Sequence, residues 1–172
     1  MRLLIFTFLS FQLVGQIGTG EWRLHVPSTK AIDVAAGDGL SFAAFENGMV
    51  EYDVNAKEVS LWTDVNGLSD INLTTLLFHP STNSLFIGYD NGNFDKLSNG
   101  KITNIPSIKL AEVQGSKRIN KIVPYEGYIY LATGFSIVQF DPSKDEIKDT
   151  WYPTNENEPL LDIAFRNDSI FA

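Results

Sequence analysis

Hydrophobic and polar residues alternate along most of this chain in short runs that are separated by turn sequences. In residues 128–133, for example, two tyrosines occupy one face of an extended chain, and an isoleucine and a leucine occupy the other. A period of two predicts β-strands, and no run has the spacing of a long helix. Several turns contain Asn-Gly, which favours the positive-φ backbone of tight hairpins, so successive strands are expected to pair antiparallel. The clearest of these turns are Asn47-Gly48, Asn91-Gly92 and Asn99-Gly100.

The same order of strands and turns recurs three times, and each repeat contains an aromatic residue directly followed by aspartate. The pairs are Tyr52-Asp53, Phe94-Asp95 and Phe140-Asp141, with intervals of 42 and 46 residues between the aspartates. Periods of about 40 to 50 residues with four strands each are typical of β-propeller blades. We expect each aspartate to end a strand and to accept hydrogen bonds from backbone N–H groups of the following turn.

These patterns predict an all-β fold, an incomplete β-propeller of about three and a half four-stranded antiparallel blades. The predicted propeller covers residues 31–172, with blades at 31–63, 71–106 and 118–152 and the start of a fourth at 160–172. Propellers close with roughly 4 to 8 blades, so this number of blades does not complete a ring. We therefore expect the chain to be the front part of a longer polypeptide, with oligomerisation as the alternative.

Residues 1–15 have the pattern of a secretory signal peptide, followed by a lead-in segment at 16–30. Arg2 supplies a positive charge, residues 3–14 form an apolar core, and Gly15 offers a small residue for cleavage. This apolar stretch is shorter than the roughly 20 residues that a membrane-spanning helix needs, although an N-terminal anchor is the alternative. The chain contains no cysteine. The sequence thus predicts export, without disulfides, to the periplasm or the cell surface of a bacterium.

Charge is distributed unevenly along the chain. Its 13 basic and 21 acidic residues, less Arg2 in the signal peptide, give the exported form a net charge of −9. Such a surface repels nucleic acid, which is therefore not an expected partner. Residues 96–121, in contrast, contain six basic residues and one acidic residue. We hypothesise that an anionic ligand is bound by Lys109, Lys117, Arg118 and Lys121. The alternative is that these are solvated side chains that discourage edge-to-edge strand pairing.

Catalytic chemistry is not indicated by the sequence. His25 and His79 are far apart, and neither has a second histidine or carboxylate at a spacing typical of metal ligands. The chain has no nucleophile elbow, phosphate loop or dinucleotide fingerprint. We therefore predict a protein that is not an enzyme, with no catalytic residue, no metal site and no cofactor. Trp62 and Trp151, two repeats apart, are interpreted as packing between blades.

Several segments resemble a known family. Residues 66–70, 76–78 and 85–92 look like the repeat of the two-component-regulator type of propeller. A wider set of segments, in the same order along the chain, is similar to the N-terminal propeller of the PorZ family. These segments are 21–28, 65–70, 101–106 and 135–150.

This resemblance implies an exported component of the type IX secretion system, held at the outer-membrane surface of Gram-negative bacteria. In that family two propellers precede a C-terminal secretion-signal domain, and the protein partners the cell-surface sortase and helps to deliver anionic lipopolysaccharide. The resemblance therefore implies a non-enzymatic scaffold, here truncated, with protein partners and an anionic lipopolysaccharide ligand. Two alternatives are the sensor propeller of a membrane two-component histidine kinase and a fragment of an exported propeller hydrolase or lyase.

Overall fold

The computed structural model describes residues 30–153, 158–167 and 169–172. Within these residues the strands form three four-stranded antiparallel sheets and one two-stranded sheet. The predicted fold class, an all-β incomplete propeller of about three and a half blades, is therefore confirmed. The predicted signal peptide and nearly all of the lead-in segment lie outside the described residues.

Each four-stranded sheet is a meander in which strands that are consecutive in sequence are hydrogen-bonded neighbours. Blade 1 consists of β1 (Asp33–Gly37), β2 (Leu40–Phe45), β3 (Gly48–Asp53) and β4 (Glu58–Trp62). Blade 2 consists of β5 (Leu73–His79), β6 (Ser84–Tyr89), β7 (Phe94–Ser98) and β8 (Lys101–Asn104). Blade 3 consists of β9 (Ile119–Tyr125), β10 (Tyr128–Thr133), β11 (Ile137–Asp141) and β12 (Glu146–Trp151). A hairpin of β13 (Ala164–Arg166) and β14 (Ser169–Phe171) follows.

The connection between blades 2 and 3 contains one helical turn, α1 (Ser107–Leu110). Ile108 is the buried residue of this turn and joins the apolar core between the two blades. Ile105 and the half-buried Val113, on either side of the turn, contact the same core. A second short element, a 3₁₀ turn at Pro80–Thr82, links β5 to β6 and ends at Asn83 in the left-handed conformation.

The core consists of three apolar clusters, and each cluster fills the seam between successive sheets. Full burial of an aliphatic or phenylalanine side chain is worth about 1.5–3 kcal/mol, so the seams hold the blades together. The first seam, between blades 1 and 2, contains Phe42, Met49, Leu76, Leu85 and Ile87. The second contains Phe86, Phe94, Ile122, Ile129 and Phe140. The third, between blade 3 and the hairpin, contains Tyr130, Ile137, Leu160 and Ile163. Trp62 packs against the first seam and Trp151 against the third, which agrees with their interpretation as packing residues.

One position in the second strand of every repeat is aromatic, and it marks the repeat better than the aromatic-Asp pairs. The residues are Phe42, Phe86, Tyr130 and Phe171, at intervals of 44, 44 and 41. In the first three repeats this ring enters the seam with the next sheet. Phe86, for example, stacks on Phe94 and meets Phe140 of blade 3 edge-on, with centroids 5.5 and 5.9 Å away.

The expectation that every aromatic-Asp pair ends a strand is wrong in blade 2. Asp53 and Asp141 do end β3 and β11, and their carboxylates accept hydrogen bonds from turn N–H groups, those of Asn55 at 2.8 Å and Ser143 at 3.0 Å. Asp95 is instead the second residue of β7, which continues to Ser98. Ser98 opposes Lys101 across the turn, as Asp53 opposes Glu58 in blade 1.

Asp95 is fully buried and organises a polar network inside blade 2. One carboxylate oxygen accepts hydrogen bonds from the Tyr89 hydroxyl at 2.7 Å and the Ser69 N–H at 2.9 Å. The other accepts from the Asn104 side-chain amide at 2.8 Å. Burial and the Asp95 carboxylate both raise the pKa of Tyr89, which keeps its hydroxyl a donor. Because Ser69 belongs to the connection from blade 1, this network ties that connection to blade 2.

The outer strands β4, β8 and β12 contribute little to the core, and most of their side chains are exposed or half-buried. Each of them pairs with a single neighbouring strand. At the turn between β7 and β8, a Cβ added to Gly100 meets no atom within 4 Å. The inner strands, in contrast, contact each other from blade to blade: the Thr74 hydroxyl on β5 donates to the Ile119 carbonyl on β9 at 2.6 Å.

Candidate functional site

The loops that join one blade to the next all lie at one end of the sheets, which we call the connection end. Each connection is hydrogen-bonded there to the turn between the second and third strands of a blade. The Asn72 N–H donates to the Glu46 carbonyl at 2.7 Å, and the Gly134 N–H donates to the Arg118 carbonyl at 2.9 Å. Such loops on a rigid β scaffold are typical places for binding sites.

A cleft of about 540 Å³ opens at the connection end. This volume is in the usual range for ligand sites, roughly 300–1,000 Å³. Its walls carry two cations and two carboxylates together with two asparagines, and two aliphatic side chains complete the lining. The lining residues are Lys30, Ile32, Glu46, Asn47, Asn72, Leu73, Asp90 and Arg118.

Arg118 is the predicted ligand-binding residue that reaches this cleft. Its guanidinium donates a hydrogen bond to the Asp90 carboxylate, across the gap between the blade 2–blade 3 connection and the β6–β7 turn. Both side chains remain about half exposed, at 45% and 51%. An exposed ion pair of this kind contributes on the order of 0–1 kcal/mol, so either partner can exchange it for a ligand group at low cost.

Two glycines allow the blade 2–blade 3 connection to pack closely over the blades. A Cβ on Gly134 would lie 2.4 Å from the Ser116 carbonyl oxygen. A Cβ on Gly92 would lie 2.8 Å from the Lys117 Cβ, and Gly92 also has a positive φ of 81°. Any larger residue at either site would push the connection outward. These two close contacts therefore hold the segment that contains Lys117 and Arg118 in place against the blades.

Lys109 and Lys117 lie in the same connection and contact each other. The Lys117 ammonium donates to the Lys109 carbonyl at 2.8 Å, and the Lys109 ammonium donates to the Asp70 carboxylate at 2.7 Å. Burial opposes ionisation of Asp70, but hydrogen bonds from Lys109 and Asn91 outweigh it and lower the pKa of the carboxyl group. Lys109 is thus neutralised in space by an acid that lies 39 residues away in the sequence.

Lys121 lies apart from the other three predicted residues. It is within β9, where it pairs with Ala132, and it does not line the cleft. The structure therefore brings Lys109, Lys117 and Arg118 together at the connection end and leaves Lys121 on an inner strand. Within the described part of the chain, Lys117 and Lys121 have no carboxylate partner, whereas Lys109 and Arg118 each have one.

Sequence reasoning missed the carboxylates and amides of the cleft. Glu46 and Asp90 are separated by 44 residues and occupy the same turn in blades 1 and 2. That interval equals the spacing of the aromatic residues in the second strands, so the signal was present in the sequence. It was obscured because the aromatic-Asp pairs give the wrong repeat length.

The histidine and the acidic residues of the described ranges form no metal site. The described residues contain no group of three His, Cys, Asp or Glu side chains that would hold a metal ion. His79, the last residue of β5, is buried and its Nδ1 lies 3.0 Å from the Thr82 hydroxyl. Burial and the nearby Lys96 lower the pKa of His79. Over the described ranges, no helix has the length and apolar character needed to cross a membrane.

The repeated meanders, the apolar seams and the cleft at the connection end define a partial β-propeller with a polar cleft at one end of its sheets. Residues 42–172 match the family described as "TSS9, PorZ, N-terminal beta-propeller domain". The chain therefore belongs to the PorZ N-terminal β-propeller family, as the sequence resemblance indicates.

Solved structures agree with this membership. PorZ of Porphyromonas gingivalis, a bacterial surface component of the type IX secretion system, is similar at 26% identity with a TM-score of 0.65. The match covers 70% of this chain and 16% of the PorZ chain, so the chain spans about a sixth of that protein.

Two other structures share the fold alone. The extracellular domain of a putative hybrid two-component system from B. thetaiotaomicron is 17% identical with a TM-score of 0.66, over 84% of this chain and 20% of that one. The computationally designed Ika4 protein is 10% identical with a TM-score of 0.60, over 86% and 87% of the two chains. No curated protein was found to match.

Proposed function

We propose that this chain is an exported, non-enzymatic propeller scaffold of a type IX secretion system. It acts at the outer-membrane cell surface, where it contacts the sortase-type component and presents anionic lipopolysaccharide. The observation that carries the proposal is the family match over residues 42–172, together with PorZ, a surface component of that secretion system, among the similar structures. The similarity to the two-component sensor is below 25% identity, so it supports the fold and favours no sensor function.

The proposed anionic ligand contacts basic residues of the second connection and of the adjoining strand β9. Lys109, Lys117, Arg118 and Lys121 remain the proposed residues, but their charges are not equivalent. Asp70 and Asp90 already neutralise two of them, whereas Lys117 and Lys121 have no carboxylate partner in the described structure. We therefore infer that Lys117 and Lys121 contribute more of the attraction to an anion than Lys109 and Arg118 do.

Two experiments test this proposal in the intact protein. Deleting the gene should stop cargo of the secretion system from reaching the cell surface, and normal cargo display would contradict the proposed role. Replacing Lys117 and Lys121 with glutamate should weaken binding to purified anionic lipopolysaccharide. The matched control is glutamate at Lys101 and Lys144, which are exposed in turns or strands at the opposite end of the sheets. Unchanged binding in the Lys117 and Lys121 variant would remove the glycolipid part of the proposal.

A further inference from the structure

The cleft at the connection end carries both signs of charge in equal number. Lys30 and Arg118 are the cations of its lining, and Glu46 and Asp90 are the anions. A cleft for a polyanion would place several cations together without acids between them, because like charges at short distance repel. This cleft is instead balanced, so its charges favour a ligand that is itself balanced.

The cleft is held in place by a chain of hydrogen bonds through successive segments. The Glu46 carbonyl accepts from the Asn72 N–H at 2.7 Å, and the Asn72 carbonyl accepts from the Asp90 N–H at 3.0 Å. The Asp90 carboxylate in turn accepts from Arg118. These contacts join the β2–β3 turn, the first connection, the β6–β7 turn and the second connection. The site is therefore formed before any ligand arrives, which reduces the entropy lost on binding.

The polar side chains of the cleft are available to a ligand. In the described residues, the side chains of Lys30, Glu46, Asn47 and Asn72 make no hydrogen bond, and Arg118 and Asp90 bind each other while half exposed. A side-chain amide offers one acceptor and two donors, which suits the N–H and C=O groups of a peptide backbone. The charged groups suit side chains of opposite sign, and the aliphatic side chains of Ile32 and Leu73 offer apolar contact.

We propose that the cleft binds a short exposed peptide segment of a partner protein, in which one acidic and one basic side chain lie close together. The acidic side chain bonds to Arg118 and Lys30, and the basic side chain bonds to Glu46 and Asp90. The two asparagines bond to the segment's backbone. This rests on the proposed function in one respect, that the natural segment belongs to a protein partner of the scaffold.

Binding of labelled peptides to the whole chain, measured by fluorescence anisotropy, tests the proposal. The probe is a capped hexapeptide with one Glu and one Lys two residues apart, compared with peptides of the same length that contain two Glu, two Lys or two Gln. We expect the mixed peptide to bind about tenfold more tightly than each of the others. Equal or tighter binding of the two-Glu peptide would show an anion site and overturn the proposal, as would no binding at all.

Two variants locate the binding. Arg118→Gln should lower the affinity for the mixed peptide about tenfold, to about the affinity of the parent for the two-Lys peptide. Glu46→Gln should lower it to about the affinity of the parent for the two-Glu peptide. Lys101→Gln, at the opposite end of blade 2, is the matched control and should change nothing. Equal loss in all three variants would indicate unspecific attraction and would overturn the site. The lipopolysaccharide test depends on Lys117 and Lys121, so the two proposals fail independently.

Discussion

Replacement of Asp95 by alanine should strongly destabilise the protein. Asp95 accepts hydrogen bonds from the Ser69 N–H, the Tyr89 hydroxyl and the Asn104 amide. Asn104 keeps a second acceptor, the Asn93 side-chain oxygen at 2.9 Å, and Ser69 is exposed, so the Tyr89 hydroxyl is the buried donor that loses its partner. A buried donor without a partner costs about 1–3 kcal/mol. With about 0.5–1.5 kcal/mol added for the lost Ser69 hydrogen bond, the expected loss of unfolding free energy is about 2–4 kcal/mol, a large part of the stability of an ordinary domain.

The chain provides a matched control in Asp53. It also follows an aromatic residue, but its carboxylate accepts hydrogen bonds only from the N–H groups of Asn55 and Ala56 in an exposed turn. Water replaces the carboxylate there, so Asp53→Ala should cost only about 0.5–1.5 kcal/mol. The assay is urea unfolding of the two variants and the parent, followed by tryptophan fluorescence. A loss for Asp95→Ala that is no larger than the loss for Asp53→Ala would refute the reasoning from the buried network.

Three further changes have defined outcomes. Phe86→Ala should lower the unfolding free energy by about 3–5 kcal/mol, because the ring is fully buried in the second seam; a loss below 1 kcal/mol in the same urea assay would contradict this. Gly134→Ala should displace the connection at Ser116 and speed tryptic cleavage after Lys117 and Arg118, while parent-like digestion would argue against the close contact. The pKa of His79 is lowered on folding, so near and below its ordinary pKa of 6.5 the unfolded chain binds more protons than the folded chain. The unfolding free energy should therefore fall as the pH drops below that value. His79→Gln should reduce this pH dependence in thermal melts recorded between pH 5 and pH 8.

The strands were predictable because their signals are local. Alternation within a strand and Asn-Gly at a turn depend only on neighbouring residues. In blade 2, for example, Asn91-Gly92 and Asn99-Gly100 mark two of the turns. The repeat length was harder, because Phe94-Asp95 copies the motif of the other blades at a different point of the strand. Only the pairing of Ser98 with Lys101 shows where the third strand of blade 2 ends.

The candidate site depends on contacts between distant residues, which local patterns do not contain. The sequence gives residues 96–121 a strong positive charge, but Asp70 and Asp90 lie outside that window and pair with Lys109 and Arg118. The helical turn α1 is explained by burial of Ile108 between two blades, a tertiary effect that no local spacing predicts. Glu46 and Asp90 join the site only after the blades are stacked.

The side chains of β8 are exposed or half-buried, and the turn that precedes this strand can therefore be modified. Because a side chain at Gly100 would project into open space, the turn between Asn99 and Gly100 tolerates extra residues without disturbing a seam. An epitope tag or a fluorophore attached there would stand away from the cleft, on the rim of the second blade. The chain thus offers a reporter position from which the proposed export and cell-surface display can be followed while the connection end stays uncovered.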